Sequence, residues 1–354
     1  MNVKPVERPV NMGVIGYGHY MRTNFVRRLR KCSSLNLVGV YNRGEDRRKQ
    51  AEQDGFWATG DLDELLARPG LEAVLIGTSN AAHKEQAIRA AQAGKHVLCE
   101  KPLALNLADI DEMVAAVEKA DVINHVNHPG PYGESFIQFQ NICQEYAGEI
   151  LHYWNRSTRA FGTWVQGARH VAVAHPEDSG GWTMHHFCHQ LNDACILLNT
   201  NKAVKVYHVM QKSCAEAPSE ELVNSLLTFD TGATAFLSDG TTIGPFLDVG
   251  VHGSKADIRW LDNKIYVARP GPSDPMQRPG NVSAIRKTFD VNPTQTDPHE
   301  TIGHIFAQAV RGGPNNLLTF RFIRDQYRVL MGLKESAATG RVVDLRWDQP
   351  VAKK

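Results

Sequence analysis

The chain has 354 residues, 42% of them hydrophobic and 22% charged, with 39 basic against 38 acidic side chains. That length exceeds one ordinary core and suits two domains, while a formal net charge of +1 gives no global electrostatic argument for nucleic acid or a membrane surface as partner. No apolar run reaches the roughly eighteen residues of a membrane span, the start MNVKPVERPVNMG has no apolar leader, and the six cysteines lack paired spacing, so a cytoplasmic protein with reduced thiols is expected.

The first third alternates apolar runs (Gly13 to Ile15, Leu37 to Val40, Ala73 to Ile76, His96 to Cys99, Val122 to Val126) with helical patterns at Asn80 to Ala93 and Asn106 to Lys119. Short strand–helix alternation predicts a parallel sheet covered on both faces, an α/β Rossmann-type domain over residues 1–128. Beyond Pro129 the pattern changes. A long helix is expected near Ser179 to Asn199, followed by strand-like runs at Val204 to Met210, Leu222 to Phe229, Ala233 to Leu237, Phe246 to Val251, Ala256 to Trp260 and Lys264 to Ala268. Turn signals at Asp230-Thr231-Gly232 and Asp239-Gly240 predict a mainly antiparallel sheet in a second α/β domain, 129–354. Gly271 to Pro293 reads as a long loop, and helices close the chain near His299 to Val310 and Phe320 to Thr339.

Val14-Ile15-Gly16-Tyr17-Gly18-His19-Tyr20-Met21 is a strand running through a Gly-x-Gly turn into a helix. Gly16 permits the turn. Gly18 lets backbone approach a pyrophosphate seated on the positive end of the helix that His19 and Tyr20 open. Met21 replaces the usual third glycine, and a purely structural turn is the alternative. After the second strand comes Tyr41-Asn42-Arg43-Gly44, with no carboxylate before Glu45. An acid there would suit the ribose of NAD. Asn42 and Arg43, with Arg47 and Arg48 behind, lean instead toward the 2′-phosphate of NADP, against a reading of the arginines as a solvated helix start.

Gly94-Lys95-His96-Val97-Leu98-Cys99-Glu100-Lys101-Pro102-Leu103-Ala104 places Lys101 just past the C-terminal end of a strand, the edge where open parallel sheets bind ligands. An ammonium there suits proton transfer with a hydroxyl; alone, it would more often be a surface lysine. The glycine turn, Thr78-Ser79-Asn80 with His83, and this Glu-Lys-Pro string resemble the glucose–fructose oxidoreductase, inositol dehydrogenase and MocA (Gfo/Idh/MocA) family along nearly the whole chain. The resemblance implies a Rossmann domain followed by an open antiparallel sheet, with NAD or NADP as cofactor. It implies sugars, cyclitols or related polyols as substrates and assembly into homodimers or homotetramers. It also implies cofactor contacts at Thr78, Ser79, His83, Glu100 and Lys101.

Three histidines cluster in Gly180-Gly181-Trp182-Thr183-Met184-His185-His186-Phe187-Cys188-His189-Gln190-Leu191-Asn192-Asp193. On a regular helix His185 and His189 share a face with Asn192, and His186 turns toward Gln190 and Asp193. In the resembling family a Gly-Gly-led string carries an aspartate, a histidine and a second acid. His189 matches the histidine, His185 stands at the aspartate, and Asn192, beside Asp193, stands at the second acid. The resemblance therefore implies Lys101, His189 and His185 as catalytic residues, with Asn192 and Asp193 at the substrate. Two imidazoles and a lysine around one centre disfavour added charge, so at least one imidazole is expected to work neutral. His185 and His189 also have zinc-chelating spacing beside Cys188, but no further ligand has diagnostic spacing and no metal is expected. A buried structural helix is the plainest alternative. His128, Tyr153, Trp154, Arg156, Arg159 and Trp164 are further substrate candidates, each equally readable as packing or surface.

The expected activity is hydride transfer between a nicotinamide and a secondary alcohol or ketone carbon of a sugar-like substrate. The first rival is a redox-neutral enzyme that eliminates, cleaves glycosides or epimerises through transient oxidation with tightly held cofactor. The second is a cofactor-sensing regulator without catalysis.

Overall fold

Apolar runs too short for helices become the parallel strands of the first sheet. In a computed structural model of the chain, residues 4–242, 244–270, 284–291 and 295–347 are described. They fold into two units: residues up to Gly133 with Gln295–Tyr327, and Glu134 onward with Arg328 onward. The return of Gln295–Tyr327 to the first unit is a feature that a single boundary at 128/129 does not contain.

The first unit carries six parallel strands: β1 (Val10–Ile15), β2 (Leu35–Tyr41), β3 (Ala58–Thr59), β4 (Ala73–Ile76), β5 (His96–Cys99) and β6 (Asn124–Val126). Their order is β3-β2-β1-β4-β5-β6. The order reverses between β1 and β4, the switch point outside which such sheets bind ligands. Val14, Ile15 and Val74 to Ile76 are all 0% exposed, as expected for strands covered on both faces. The covering helices include Asn80–Gln92 and Leu107–Lys119. Asn106 starts the latter, its Oδ1 accepting the Asp109 N–H at 2.9 Å. The returning segment runs along β6: Val126 N–H donates to Leu318 O at 2.9 Å, and Phe320 N–H to Asn124 Oδ1 at 2.7 Å.

The second unit holds a nine-stranded sheet of β7 (Ile150–Arg159), β8 (Ala203–Gln211), β9 (Leu222–Phe229), β10 (Thr234–Thr241), β11 (Phe246–Gly253), β12 (Asp257–Leu261), β13 (Lys264–Pro270), β14 (Ala284–Asp290) and β15 (Val343–Asp344). The order is β14-β13-β12-β11-β7-β10-β9-β8-β15. All pairs are antiparallel except β7 with β10. Asp239-Gly240, expected as a turn, lies inside β10, because Gly240 lets the chain pass Leu222: a Cβ there would sit 2.7 Å from its Cδ1. Of the expected loop from 271 to 293, residues 284–290 form β14, and 271–283 with 292–293 lie outside the described residues. The register places Tyr207, Leu226, Phe236, Trp154, Gly250, Arg259 and Tyr266 in one row across one sheet face. Tyr153 and Ala235, one residue out of step, face the other way and are 0% exposed. Among the described residues no helix is long and apolar enough to cross a membrane.

Candidate active site

The glycine turn follows β1 at the switch point. Gly16 has φ +96°, and a Cβ there would meet Thr78 Cγ2 at 2.7 Å, so only glycine fits. Gly18 is different: a Cβ would find nothing within 4 Å. The protein leaves space against the first helical turn, whose Arg22 N–H bonds back to Gly18 O at 2.9 Å. Such a cradle fits the pyrophosphate of a dinucleotide. Asn42 ties the turn down, its Oδ1 accepting the Tyr17 N–H at 3.0 Å. Met21, in place of a third glycine, packs against Gly77, where a Cβ would lie 2.0 Å from its sulfur. Close helix–strand approach is kept, with the missing side chain moved to the facing strand end. Arg48 is committed to the backbone, bonding Asn42 O at 3.0 Å and Arg43 O at 2.7 Å, while Arg43 itself is exposed. His19 and Tyr20 are exposed at the helix start, Tyr20 by 55%.

Thr78 and Ser79 follow β4, and the Thr78 hydroxyl donates to Gln86 Oε1 at 2.6 Å. His83, 1% exposed, bonds through Nδ1 to Pro102 O at 3.0 Å. A carbonyl only accepts, so the proton sits on Nδ1, and burial pushes the ring's pKa below its usual value. His83 thus fixes the Glu-Lys-Pro junction from behind rather than offering a surface. Glu100 is buried, bonded by Asn127 Nδ2 at 2.7 Å and the Lys101 N–H at 3.2 Å. Burial raises its pKa, opposed by Lys101 and by these hydrogen bonds. His128, at the end of β6, is 1% exposed and its pKa falls to about 3, first through burial and then through the Lys101 charge. It is therefore a neutral ring beside the lysine. Lys101, Asn127 and His128 cluster at the C-terminal edge of β5 and β6.

In the second unit the histidine string is helical, but Thr183–Phe187 forms a wide π-type turn before the α-helix Cys188–Leu197. The turn starts on Gly181 (φ +83°) and is held by Glu220, whose Oε1 accepts from Thr183 N–H at 2.9 Å and Thr183 Oγ1 at 2.7 Å. The wide turn changes the phase expected of a regular helix. His185, His186 and His189 are each half-buried, whereas Asn192 is 0% exposed. His186 packs on Trp182 (centroids 4.3 Å apart) and meets His170 Nε2 at 3.3 Å, not Gln190 or Asp193. Gln190 anchors the helix to the sheet, donating to Ser157 Oγ at 2.6 Å and Ser238 O at 3.0 Å.

Tyr153 and Asn192, expected at the substrate, are fully buried and support this turn instead. Trp154 and Arg156 lie on the opposite sheet face, around Asp248: Trp154 Nε1 donates to it at 3.1 Å, and Arg156 lies 3.6 Å away. Arg159 faces the helix side and pairs with Asp239. Burial raises Asp239 to about 6 and Asp193 to about 8, both against the Arg159 charge. Asp193 Oδ1 is buried with no hydrogen-bond partner among the described residues. His170, Phe161, Asp239 and Glu220 were not singled out from the sequence. No motif marks them, and only the fold brings them to the histidine turn.

A profile described as an oxidoreductase family with an NAD-binding Rossmann fold matches residues 10–128. The myo-inositol 2-dehydrogenase of Thermotoga maritima is 41% identical over 116 residues, 32% of this chain and 34% of that protein. The 2,7-anhydro-N-acetylneuraminate hydratase of Escherichia coli is 25% identical over 71% of this chain and 67% of its own length. The chain spans 34%, 59% and 48% of the first three curated relatives it matches. The aldose-aldose oxidoreductase of Caulobacter crescentus, solved with glycerol, shares the fold at TM-score 0.79 and 20% identity, over 96% of this chain and all of that one. Through residues 10–128 the chain belongs to the oxidoreductase family of glucose–fructose oxidoreductase, inositol dehydrogenase and MocA, with its NAD-binding Rossmann fold.

Proposed function

We propose that the chain is an NAD(P)-dependent oxidoreductase acting on a secondary alcohol or ketone carbon of a sugar, cyclitol or related polyol. The observation that carries this reading is the open cradle at Gly18 in the same unit as the Lys101–Asn127–His128 edge. Gly16, Gly18, Asn42, Thr78 and Ser79 would hold the dinucleotide, with the exposed His19 and Tyr20 at the helix start. The exposed Arg43, in a turn without an acid, is assigned to a 2′-phosphate, so NADP is preferred to NAD. The chemistry supplied by a bound nicotinamide is hydride exchange; the rest falls to the chain. Lys101 Nζ takes or delivers the proton of the reacting oxygen and polarises it. Glu100 and His83, buried behind it, fix its backbone. His189 is the acid–base partner or orienting group, and His185 completes the set where the family pattern has an aspartate. His128 and Asp193 contribute to substrate binding. The domains are taken as 1–128 and 129–354, in a cytoplasmic protein.

The aromatic row Tyr207–Leu226–Phe236–Trp154–Tyr266 is assigned to a homodimer or homotetramer contact. Tyr207, Leu226 and Tyr266 are 37%, 54% and 41% exposed, more apolar surface than a monomer keeps without use.

The test is cofactor identity and turnover. Nucleotide released from the purified protein is identified, NAD and NADP are titrated into the stripped protein, and a polyol panel is followed by the absorbance of reduced nicotinamide. NADP-dependent oxidation of a polyol is expected. Failure to bind either nucleotide refutes the reading. The hydratase relative favours one second reading, a redox-neutral sugar-modifying reaction. It predicts tightly held cofactor and product formation without net reduction.

A further inference from the structure

The reaction roles proposed above leave Phe161, His170 and His186 unused, although they surround the turn that bears His185. His170 stands before the short helix Val171–Ala174. Its ring stacks on Phe161, with centroids 4.8 Å apart and planes 12° from parallel. Its Nδ1 lies 3.2 Å from the Ala172 nitrogen, as a helix cap. A backbone N–H only donates, so Nδ1 holds the lone pair and the ring proton sits on Nε2. That Nε2 faces His186 Nε2 at 3.3 Å. With the proton on His170, His186 Nε2 accepts, and the proton of the neutral His186 ring belongs on Nδ1. Trp182, 0% exposed beneath His186, fixes the plane of that ring.

We propose that His170 is a positioning residue: anchored on the Ala172 backbone, it holds His186 as the Nδ1–H tautomer, a neutral donor and not a base. Zinc is the competing account. Two nitrogens 3.3 Å apart match the bite of two ligands on a tetrahedral ion with bonds of about 2.0–2.1 Å. The Ala172 bond decides between them, because a metal needs a lone pair on His170 Nε2, where this arrangement puts the proton. The lock has a use in a turn where the His170, His185 and His186 rings lie 4.8–5.9 Å apart. Three imidazoles this close tolerate little added charge, and a fixed chain of neutral donors and acceptors avoids it. The kinetic consequence rests on the reading of His185 and His189 as reaction residues; the tautomer does not.

The test is long-range proton–nitrogen correlation NMR on the full-length protein carrying ¹⁵N-histidine. The wild type should show His170 protonated on Nε2 and His186 on Nδ1. His170→Asn keeps a side-chain acceptor for the Ala172 N–H but presents no ring nitrogen to His186. In that variant His186 should become a tautomer mixture, and kcat on whichever polyol the wild type oxidises should fall about ten-fold, the worth of one net hydrogen bond, with cofactor binding unchanged. His170→Ala should also lower Tm, separating the cap from the lock. A wild-type His186 protonated on Nε2, an unchanged His186 spectrum in His170→Asn, or stoichiometric zinc binding by the wild type that His170→Asn abolishes would each overturn the proposal. The spectra need no substrate. A protein inactive on every polyol but with the expected tautomers defeats the activity reading and leaves the lock standing.

Discussion

Gly16 and Gly18 sit two residues apart, yet substitution by alanine should act on them through different physics. At Gly18 a Cβ meets nothing within 4 Å, and the Arg22 N–H to Gly18 O bond involves backbone alone. The folded protein therefore loses no packing, and the unfolded chain loses some freedom, worth about 0.4–1 kcal/mol in favour of folding. Tm should stay level or rise by no more than a few degrees. Cofactor affinity should collapse, because the methyl occupies the space assigned to the pyrophosphate. Losing one charge-assisted hydrogen bond of about 1.5–3 kcal/mol weakens binding roughly ten- to more than a hundred-fold, equally for NAD and NADP. At Gly16 the backbone at φ +96° is strained for alanine by about 1–3 kcal/mol, before the 2.7 Å contact with Thr78 is counted. Gly16→Ala should lose stability as well as binding. Thermal melts without nucleotide, paired with calorimetric titration of both nucleotides, separate the two. If Gly18→Ala binds nucleotide as the wild type does, the cradle is not a phosphate site.

Lys101→Ala should lower kcat by about 10²–10⁴-fold, the usual worth of a positioned acid–base group, while nucleotide titrations stay unchanged; a normal rate would remove Lys101 from the chemistry. Arg43→Ala should weaken NADP by roughly ten-fold or more and spare NAD, and an equal effect on both would mean Arg43 does not read the phosphate. Asp193, raised by burial from 3.8 to about 8, holds its proton more tightly folded than unfolded. Its stabilising contribution is therefore intact below about pH 4 and lost as the pH climbs toward 8. The Tm of Asp193→Asn relative to wild type should rise from about pH 5 to about pH 9, and a flat or falling difference would contradict the buried proton. Gly77→Ala should cost about 1–3 kcal/mol by driving a methyl into buried Met21, and adding Met21→Ala should recover part of that loss in a denaturant titration.

What the sequence announced and what it hid follow from how each element is stabilised. β4 and β5 were expected at Ala73 to Ile76 and His96 to Cys99 and are found there. A strand buried on both faces writes itself as an apolar run. β7, the central strand of the second sheet, went unpredicted. Its helix-facing residues include Tyr153, Asn155, Ser157 and Arg159, and its other face carries His152, Trp154 and Arg156. Neither set is an apolar alternation, because one face serves the histidine turn and the other the Asp248 cluster. Asp239-Gly240 carries turn chemistry, and the glycine is there for closeness to Leu222 while the aspartate pairs with Arg159. The wide turn at Thr183–Phe187 was invisible for a different reason. Periodicity counts residues and assumes a constant pitch, so one extra fraction of a turn moves His186 onto Trp182 without changing a letter of the pattern.

The two departures from the family pattern have compensations of opposite kinds. Met21 occupies the place of a glycine whose role is close packing, and that role is geometric: it can be met by emptying the opposite wall, which Gly77 does. His185 occupies the place of an aspartate whose role is electrostatic. A carboxylate orients a neighbouring imidazole by charge, and that pull survives small errors of geometry. A second imidazole has no charge to spare and orients only through hydrogen bonds whose direction depends on which nitrogen carries the proton. A site that exchanges the acid for a histidine must therefore fix its tautomers by other means. The means at hand are backbone groups, whose donor and acceptor roles never change, and the Ala172 N–H on His170 Nδ1 sits where such a reference is needed.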